Sequence, residues 1–212
     1  MRFSLSSGGR ECQDLKKHCI PGEDMNKKEL IREAATKVMA CEGFYNTKMQ
    51  NIADKAGIAI GTLYLYFKSK EEILNYIFMT EYLKRLKYVE STKDKKISYL
   101  QQIKEFLNFH FNQLKNNPDT AKVLIQESID PALHKLEWID KTFSGIPGIF
   151  KQMLDNAKKN GEIKDIDTDI IGTTIFLAAR ALAYTLQLEG KENEYDYALE
   201  QFYSFIIEGI KK

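Results

Sequence analysis

Cysteine, histidine and proline are all scarce in this sequence. The three cysteines, at positions 12, 19 and 41, form neither an even disulfide set nor a metal-ligand spacing, which reads as a reduced, cytoplasmic chain. His18, His110 and His134 are scattered. There is no HExxH pairing, no phosphate-binding glycine loop and no nucleophile beside a base, so no metal or other cofactor is expected and an enzyme is disfavoured. The N-terminus lacks the continuous apolar segment of a secretory signal. The most apolar run, "IIGTTIFLAARALAYTL" at 170–186, is short for a membrane span and carries Arg180, so it reads as a buried helix with no membrane partner. No internal repeat or low-complexity tract is present. What remains is an ordinary globular composition, 43% hydrophobic and 29% charged, with 212 residues to build one domain or two small ones.

The net charge of +1 hides an asymmetry. Residues 25–70 hold eight basic side chains against four acids, a local +4, whereas residues 71–212 carry −3. A basic segment beside an acidic remainder points to a polyanion partner for the first part only. Residues 1–24 balance their charges, show no sustained periodicity and end near Pro21-Gly22. They read as an extension, with a short extra folded element as the alternative. The expected division is therefore an extension at 1–24, a small basic domain at 25–72 and a larger domain at 73–212.

From Lys27 onward the pattern is helical. Leu30, Ile31, Ala34, Ala35, Val38 and Met39 make one apolar stripe, closed by Gly43 as a C′ residue with Phe44 packing back. Thr47 and Gln50 have the spacing of a capping box for a second short helix that ends at Gly57, and Ser69 with Glu72 has it for another. Between Gly57 and Ser69 only one short helix fits, and it must contain "GTLYLYF". That stretch alternates like a strand, but no strand elsewhere could pair with it. As a helix it turns Leu63, Tyr66 and Phe67 inward and leaves Ile60, Thr62 and Leu65 outward. Further helices are expected at about 97–116, 119–128, 131–158, 168–189 and 194–210. Pro118 and Pro131 suit first helical turns, and Gly145-Ile-Pro-Gly148 should break or kink the long middle one.

Two short helices joined at Gly57 and followed by a third form a helix-turn-helix, whose second helix lies in the major groove of DNA. Thr47 and Lys48 begin one helix, with N–H groups available to a phosphate. Tyr64 and Tyr66 offer phenolic donors, while Lys68 and Lys70 add positive charge.

The run "TKMQNIADKAGIAIGTLYLYFKSKEEIL", residues 47–74, resembles the signature of the TetR family of bacterial transcriptional regulators. The likeness is strong over about residues 27–78 and holds only in outline beyond them. It implies an all-α homodimer that binds a palindromic operator, usually as a repressor released by a small molecule. Carried over by position, it makes Thr47, Lys48, Tyr64, Tyr66 and Lys70 phosphate contacts and sets Ile60, Gly61, Thr62 and Leu65 against the bases. The family often has Ser or Thr where this chain has Ala59, and a basic or polar residue where it has Ile60. Base reading would then lean on apolar contact with thymine methyls plus the Thr62 hydroxyl, giving an A/T-containing half-site.

The C-terminal half offers two further readings. Helix 168–189 shows one face of Ile171, Ile175, Ala178, Leu182 and Thr185 and another of Phe176, Arg180, Tyr184 and Gln187. Helix 194–210 is similarly apolar, so both should be buried on two sides, one of them against a second subunit. The other reading is a mostly apolar ligand site with a few polar anchors, drawn from His110, Glu127, Trp138, Phe143, Phe176, Arg180 and Tyr184. Arg180 needs a partner, either an anionic ligand or an internal acid such as Glu127. A small hydrophobic effector would act by shifting the dimer away from its DNA-binding geometry, with the helix from Ser69 as the lever. The alternative is a C-terminal half that binds a protein instead.

Overall fold

The computed structural model describes residues 23–93, 95–126 and 132–212; expectations for residues 1–22, Glu127 and Pro131 lie outside them. The described residues form nine α-helices: α1 (Glu23–Glu42), α2 (Met49–Ala56), α3 (Ile60–Tyr66), α4 (Lys70–Thr92), α5 (Tyr99–Asn116), α6 (Pro118–Gln126), α7 (Glu137–Lys159), α8 (Thr168–Leu188) and α9 (Tyr195–Ile210). A short 3-10 turn, Glu192–Glu194, leads into α9. The architecture is all-α, with a small helix-turn-helix unit at α1–α3 and a larger helical part from α4 onward.

In α1 the expected stripe faces inward from Ile31 to Met39, and only Leu30 turns partly to solvent. Gly43, at φ 76°, ends the helix in the left-handed region, and buried Phe44 packs back behind it. The start of α2 differs from the expected capping box. Its N-cap is Lys48, with no side-chain cap; Gln50 bonds Asp54 instead. Thr47 has turned inward, 2% exposed, and its hydroxyl donates to the Gly43 carbonyl at 2.8 Å. The turn after Gly43 uses Thr47 as a brace, which removes it from the capping position. At the other end of α2, Gly57 (φ 66°) caps the helix and begins the three-residue turn to α3. Leu63 and Phe67 are buried, at 0% and 2% exposure, whereas Leu65 is 77% exposed and Tyr66 half-buried. The alternation of "TLYLYF" is thus spread around one short helix.

Ser69 caps α4 by accepting from the Glu72 amide, and the Glu72 carboxylate reaches back to the Lys68 amide at 2.6 Å. One residue on, the Lys70 ammonium sits against the turn that follows α1. It donates to the carbonyls of Phe44 (2.8 Å), Tyr45 (2.8 Å) and Thr47 (3.2 Å) and lies 4.7 Å from the centre of the Phe44 ring. All three ammonium hydrogens therefore have acceptors inside the protein.

The later helices keep their expected order with shifted ends. Helix α5 begins at Tyr99 behind a Ser98 cap, α6 opens on Pro118, and α7 starts only at Glu137 after turns at 132–135. Helix α7 runs unbroken through Pro147, so of the expected break or kink at 145–148 the break does not occur. The glycines there answer to neighbours instead. A Cβ on Gly145 would lie 2.2 Å from the Tyr82 hydroxyl. Across the interface, Gly172 of α8 lets the Pro147 carbonyl and the Lys151 amide come within about a Cβ contact, at 3.1 and 2.9 Å. Helix α8 is long and apolar enough by composition to cross a membrane. Its Gly172, Ile175, Phe176, Ala179, Ala183 and Leu186 are nevertheless buried in the core with α7 and α9.

One hydrophobic cluster joins α1–α4 to Val123 of α6, Leu133 of the turn before α7 and Ile139 of α7; another fills the space between α5, α7, α8 and α9. The small unit's core is therefore completed by residues from the second half of the chain. Replacing Lys70 by Met keeps the aliphatic stem but removes three charge-assisted hydrogen bonds. It should cost about 2 kcal/mol, a fall in Tm of roughly 4–8 °C by thermal denaturation.

Candidate functional site

Two regions gather the chemistry-bearing residues. The first is an open concavity between the start of α2, the side of α3 and the start of α4. Thr47, Lys48, Met49, Gln50, Ile60, Tyr64, Lys68, Ser69, Lys70 and Glu71 line it. Lys48 and Lys68 are exposed, and Tyr64 is 44% exposed. The Lys68 ammonium donates to the Tyr64 carbonyl, at 3.3 Å, at the end of α3. The Thr47 amide is not available as expected, because it donates to the Gly43 and Phe44 carbonyls at 3.2 Å. Lys70 likewise faces the concavity with its donors already engaged. Gly61 and Leu65 lie on the neighbouring solvent face of α3, flanked by half-buried Ile60 and Thr62. Ala59 at the N-cap of α3 supplies no side-chain hydrogen bond.

The second region is a cavity of about 60 Å³ in the larger helical part. Its wall is almost wholly apolar, from Phe78, Tyr82, Leu114, Leu124, Ile125 and Ile146 among others. Of the residues expected there, His110, Phe143, Phe176 and Arg180 do line it. Trp138 does not: it packs 5.9 Å from Tyr82 and under Lys141 at 4.1 Å, outside the wall. Nor does Tyr184, which is half-buried against the α5–α9 core. Both point inward, but helical phase alone does not say which inward residues border a void. The Arg180 guanidinium lies over the Phe143 ring at 4.7 Å.

Sequence reasoning missed the polar centre of this cavity, Glu81 and Arg85. Each is 4% exposed. Arg85 Nη1 donates to the Glu81 carbonyl at 2.6 Å and to Glu81 Oε2 at 3.1 Å, and Nε donates to His110 Nδ1 at 3.1 Å. The other Glu81 oxygen accepts from Lys84 Nζ at 2.6 Å. A signal was available. Glu81 and Arg85 continue the stripe of Leu74, Ile77 and Phe78 at i+3 and i+4, so opposite charges stand one turn apart on a buried face.

Burial, then the Arg85 charge, hold His110 well below the ordinary imidazole value of 6.5. The ring is therefore neutral, with Nδ1 as acceptor and the proton on Nε2. Burial opposes ionisation of Glu81, but the Arg85 and Lys84 partners outweigh it and lower its pKa. The unfolded chain takes up a proton at His110 near pH 6.5, whereas the folded chain resists it, so stability falls with pH below that value. The Glu81 contribution is lost only further down, as pH drops through the carboxylate range. Between about pH 7.5 and 5.5 the wild-type chain should lose roughly 1.4 kcal/mol more than His110→Gln, which keeps an acceptor but does not titrate, as read by urea denaturation.

Residues 31–77 match the family profile of bacterial regulatory proteins of the tetR family. Over 147 residues the chain is 29% identical to the fatty acid metabolism regulator protein of Bacillus subtilis, covering 69% of this chain and 76% of that one. Among solved structures it is similar to the fatty acid degradation regulator FadR from Bacillus halodurans. That match has a TM-score of 0.78 and 23% identity over 89% of this chain and 96% of the other. FadR from Bacillus subtilis, solved in complex with stearoyl-CoA, superposes at a TM-score of 0.74 with 26% identity, over 83% of this chain and 97% of that one. With a helix-turn-helix at α2–α3 inside the matched segment and the same all-helical architecture behind it, the chain carries a tetR-family DNA-binding segment and has the fold of TetR-family regulators.

Proposed function

We propose that the protein is a cytoplasmic, non-enzymatic repressor that binds a palindromic operator as a homodimer and is released when a small hydrophobic effector enters the α4–α8 cavity. The observation that carries this reading is the placement of α4. Its first turns complete the core beneath the DNA-facing helices, and its middle forms one wall of the cavity. An internal apolar cavity favours a small molecule over a protein as the signal. The Bacillus subtilis FadR complex, which holds stearoyl-CoA, supports a lipid-like effector.

On the DNA side, Lys48, Tyr64 and Lys68 contact phosphates along the rim of the concavity, Tyr66 does so from outside it, and Ile60, Gly61, Thr62 and Leu65 face the bases. Thr47 and Lys70 act one step behind them, by holding the turn that presents Lys48. The outer face of α3 offers one hydroxyl and several apolar groups, which fits thymine methyls better than guanine edges. Dimerisation uses the solvent face of α8 and α9. Ile170, Leu177 and Leu188 on α8 are 47–65% exposed, and Tyr197 and Phe205 on α9 are 68% and 79% exposed. Such a set of bare side chains along two adjacent helices makes an isologous four-helix contact.

Replacing Lys48 by Ala should weaken operator binding to all sequences alike. The slope of log K against log salt should fall by about 0.9 for each phosphate that the side chain no longer neutralises, measured by fluorescence anisotropy. A selected operator pool should be enriched in half-sites containing A/T steps, and recovery of G/C-only half-sites would refute the apolar reading of α3. The pair Leu177→Arg with Phe205→Glu should give a folded monomer by analytical ultracentrifugation and abolish operator binding.

A further inference from the structure

A buried donor at the cavity is left unanswered by the fold. Among the described residues, Arg85 Nη2 is buried with no hydrogen-bond partner, while Nη1 and Nε of the same guanidinium are committed to Glu81 and His110. A buried polar hydrogen without an acceptor is costly, and one on a charged group is costlier still. Glu81 does not supply the missing acceptor, although it stands one turn away. One of its oxygens already serves Arg85 and the other Lys84. Lys84 and Arg85 therefore share one carboxylate, whose charge also reaches Arg32 of α1, itself paired with Glu29. His110 is neutral and spends its Nδ1 lone pair on Arg85. Around this donor the wall is apolar: Phe78, Leu114, Ile146, Phe176 and Ala183. The site thus lacks one anionic acceptor and offers apolar contact to whatever carries it.

We infer that the effector is an apolar monocarboxylate that enters head first, its carboxylate accepting from Arg85 Nη2 deep in the cavity and its hydrocarbon tail lying along the aromatic wall. This rests on the effector reading above and makes it specific. A thioester would have to place its bulky polar group outside, leaving Arg85 unanswered. A free acid places its charge where the cation excess is. With about 60 Å³ of free space, enough for roughly four water-sized groups, the resting cavity takes the head and a short length of tail. Longer tails must push helices apart.

Trp138, the one tryptophan in the chain, packs 5.9 Å from Tyr82 of the cavity wall and reports occupancy by its emission. The full-length dimer would be titrated at about pH 7.5, where the acids are ionised, with hexanoate, octanoate and decanoate. Their methyl esters, the matching alcohols and the CoA thioesters would be run alongside, and calorimetry would check each affinity. The acid should bind at least about tenfold more tightly than the ester of equal length. Arg85→Met should remove that preference while still binding the ester, which also shows that the variant is folded; Arg85→Lys should keep part of it. Equal binding of acid and ester by the wild type, or an acid preference that survives in Arg85→Met, overturns the inference. If thioesters or esters bind best, the carboxylate proposal falls while the effector cavity stands. If no member of the series binds, the effector reading falls and the proposal with it.

Discussion

A single helix imposes the constraint on which the rest depends. Helix α4 runs without a break from Lys70 to Thr92, and a helix rises 1.5 Å per residue, so the Lys70 clamp and the Arg85 guanidinium stand about 22 Å apart on one rigid element. At its start, Ser69 and Glu72 satisfy amides that the first turn would otherwise leave bare. Lys70 then draws together three carbonyls from the turn after α1. The next two turns bury Ile73, Leu74, Ile77 and Phe78 beneath α1–α3, and the turn after that buries the Glu81–Arg85 pair. Any rotation or shift of α4 in the cavity must be felt at the concavity on the far side.

The hydrophobic clusters make that coupling harder to evade. Val123, Leu133 and Ile139 belong to the second half of the chain, yet they pack in the same buried cluster as Ile52, Leu63 and Phe67. A boundary drawn at residue 72 therefore divides the sequence more cleanly than it divides the core. Arg32 adds an electrostatic link. Its burial is opposed chiefly by hydrogen bonding to Glu29, but the Glu81 charge also favours its ionised form. A change in how Glu81 is shared among its cations is thus registered on α1 as well as on α4.

How much of this was legible in the sequence depended on the range of the interaction. Leu63 and Phe67 were placed inward by phase, because a seven-residue helix has only one face to bury. Ser69 with Glu72 was readable from local spacing, but Thr47 with Gln50 had the same spacing and proved different. A buried Thr47 hydroxyl found the Gly43 carbonyl, a choice set by the left-handed turn before it. The clamp made by Lys70 was not legible, because nothing local shows that carbonyls 23 to 26 residues away converge on it. Gly145 and Pro147 carried the signature of a break. The helix stays whole, and the glycines serve close tertiary approaches instead: Tyr82 against Gly145, and Gly172 against the Pro147 carbonyl. Trp138 and Tyr184 were inward but not beside the void, a distinction periodicity does not hold.

A buried ionic centre in the proposed effector cavity has a physical rationale. To move a two-state regulator from one side to the other, a ligand must favour one state by about 5.5 kcal/mol, whatever its absolute affinity. Apolar contact contributes roughly 25 cal/mol per Å² wherever surface is covered, so it discriminates poorly between two similar helical arrangements. A charge-assisted hydrogen bond in a dry site depends steeply on distance and angle. Arg85 already has two of its nitrogens fixed, by Glu81 and His110, so the direction of the third is set by the helices themselves. A partner meeting that nitrogen is bound tightly only in the arrangement of α4 and α5 that aims it correctly. Because α4 is one body with the turn that presents Lys48, that arrangement is also the one the operator feels.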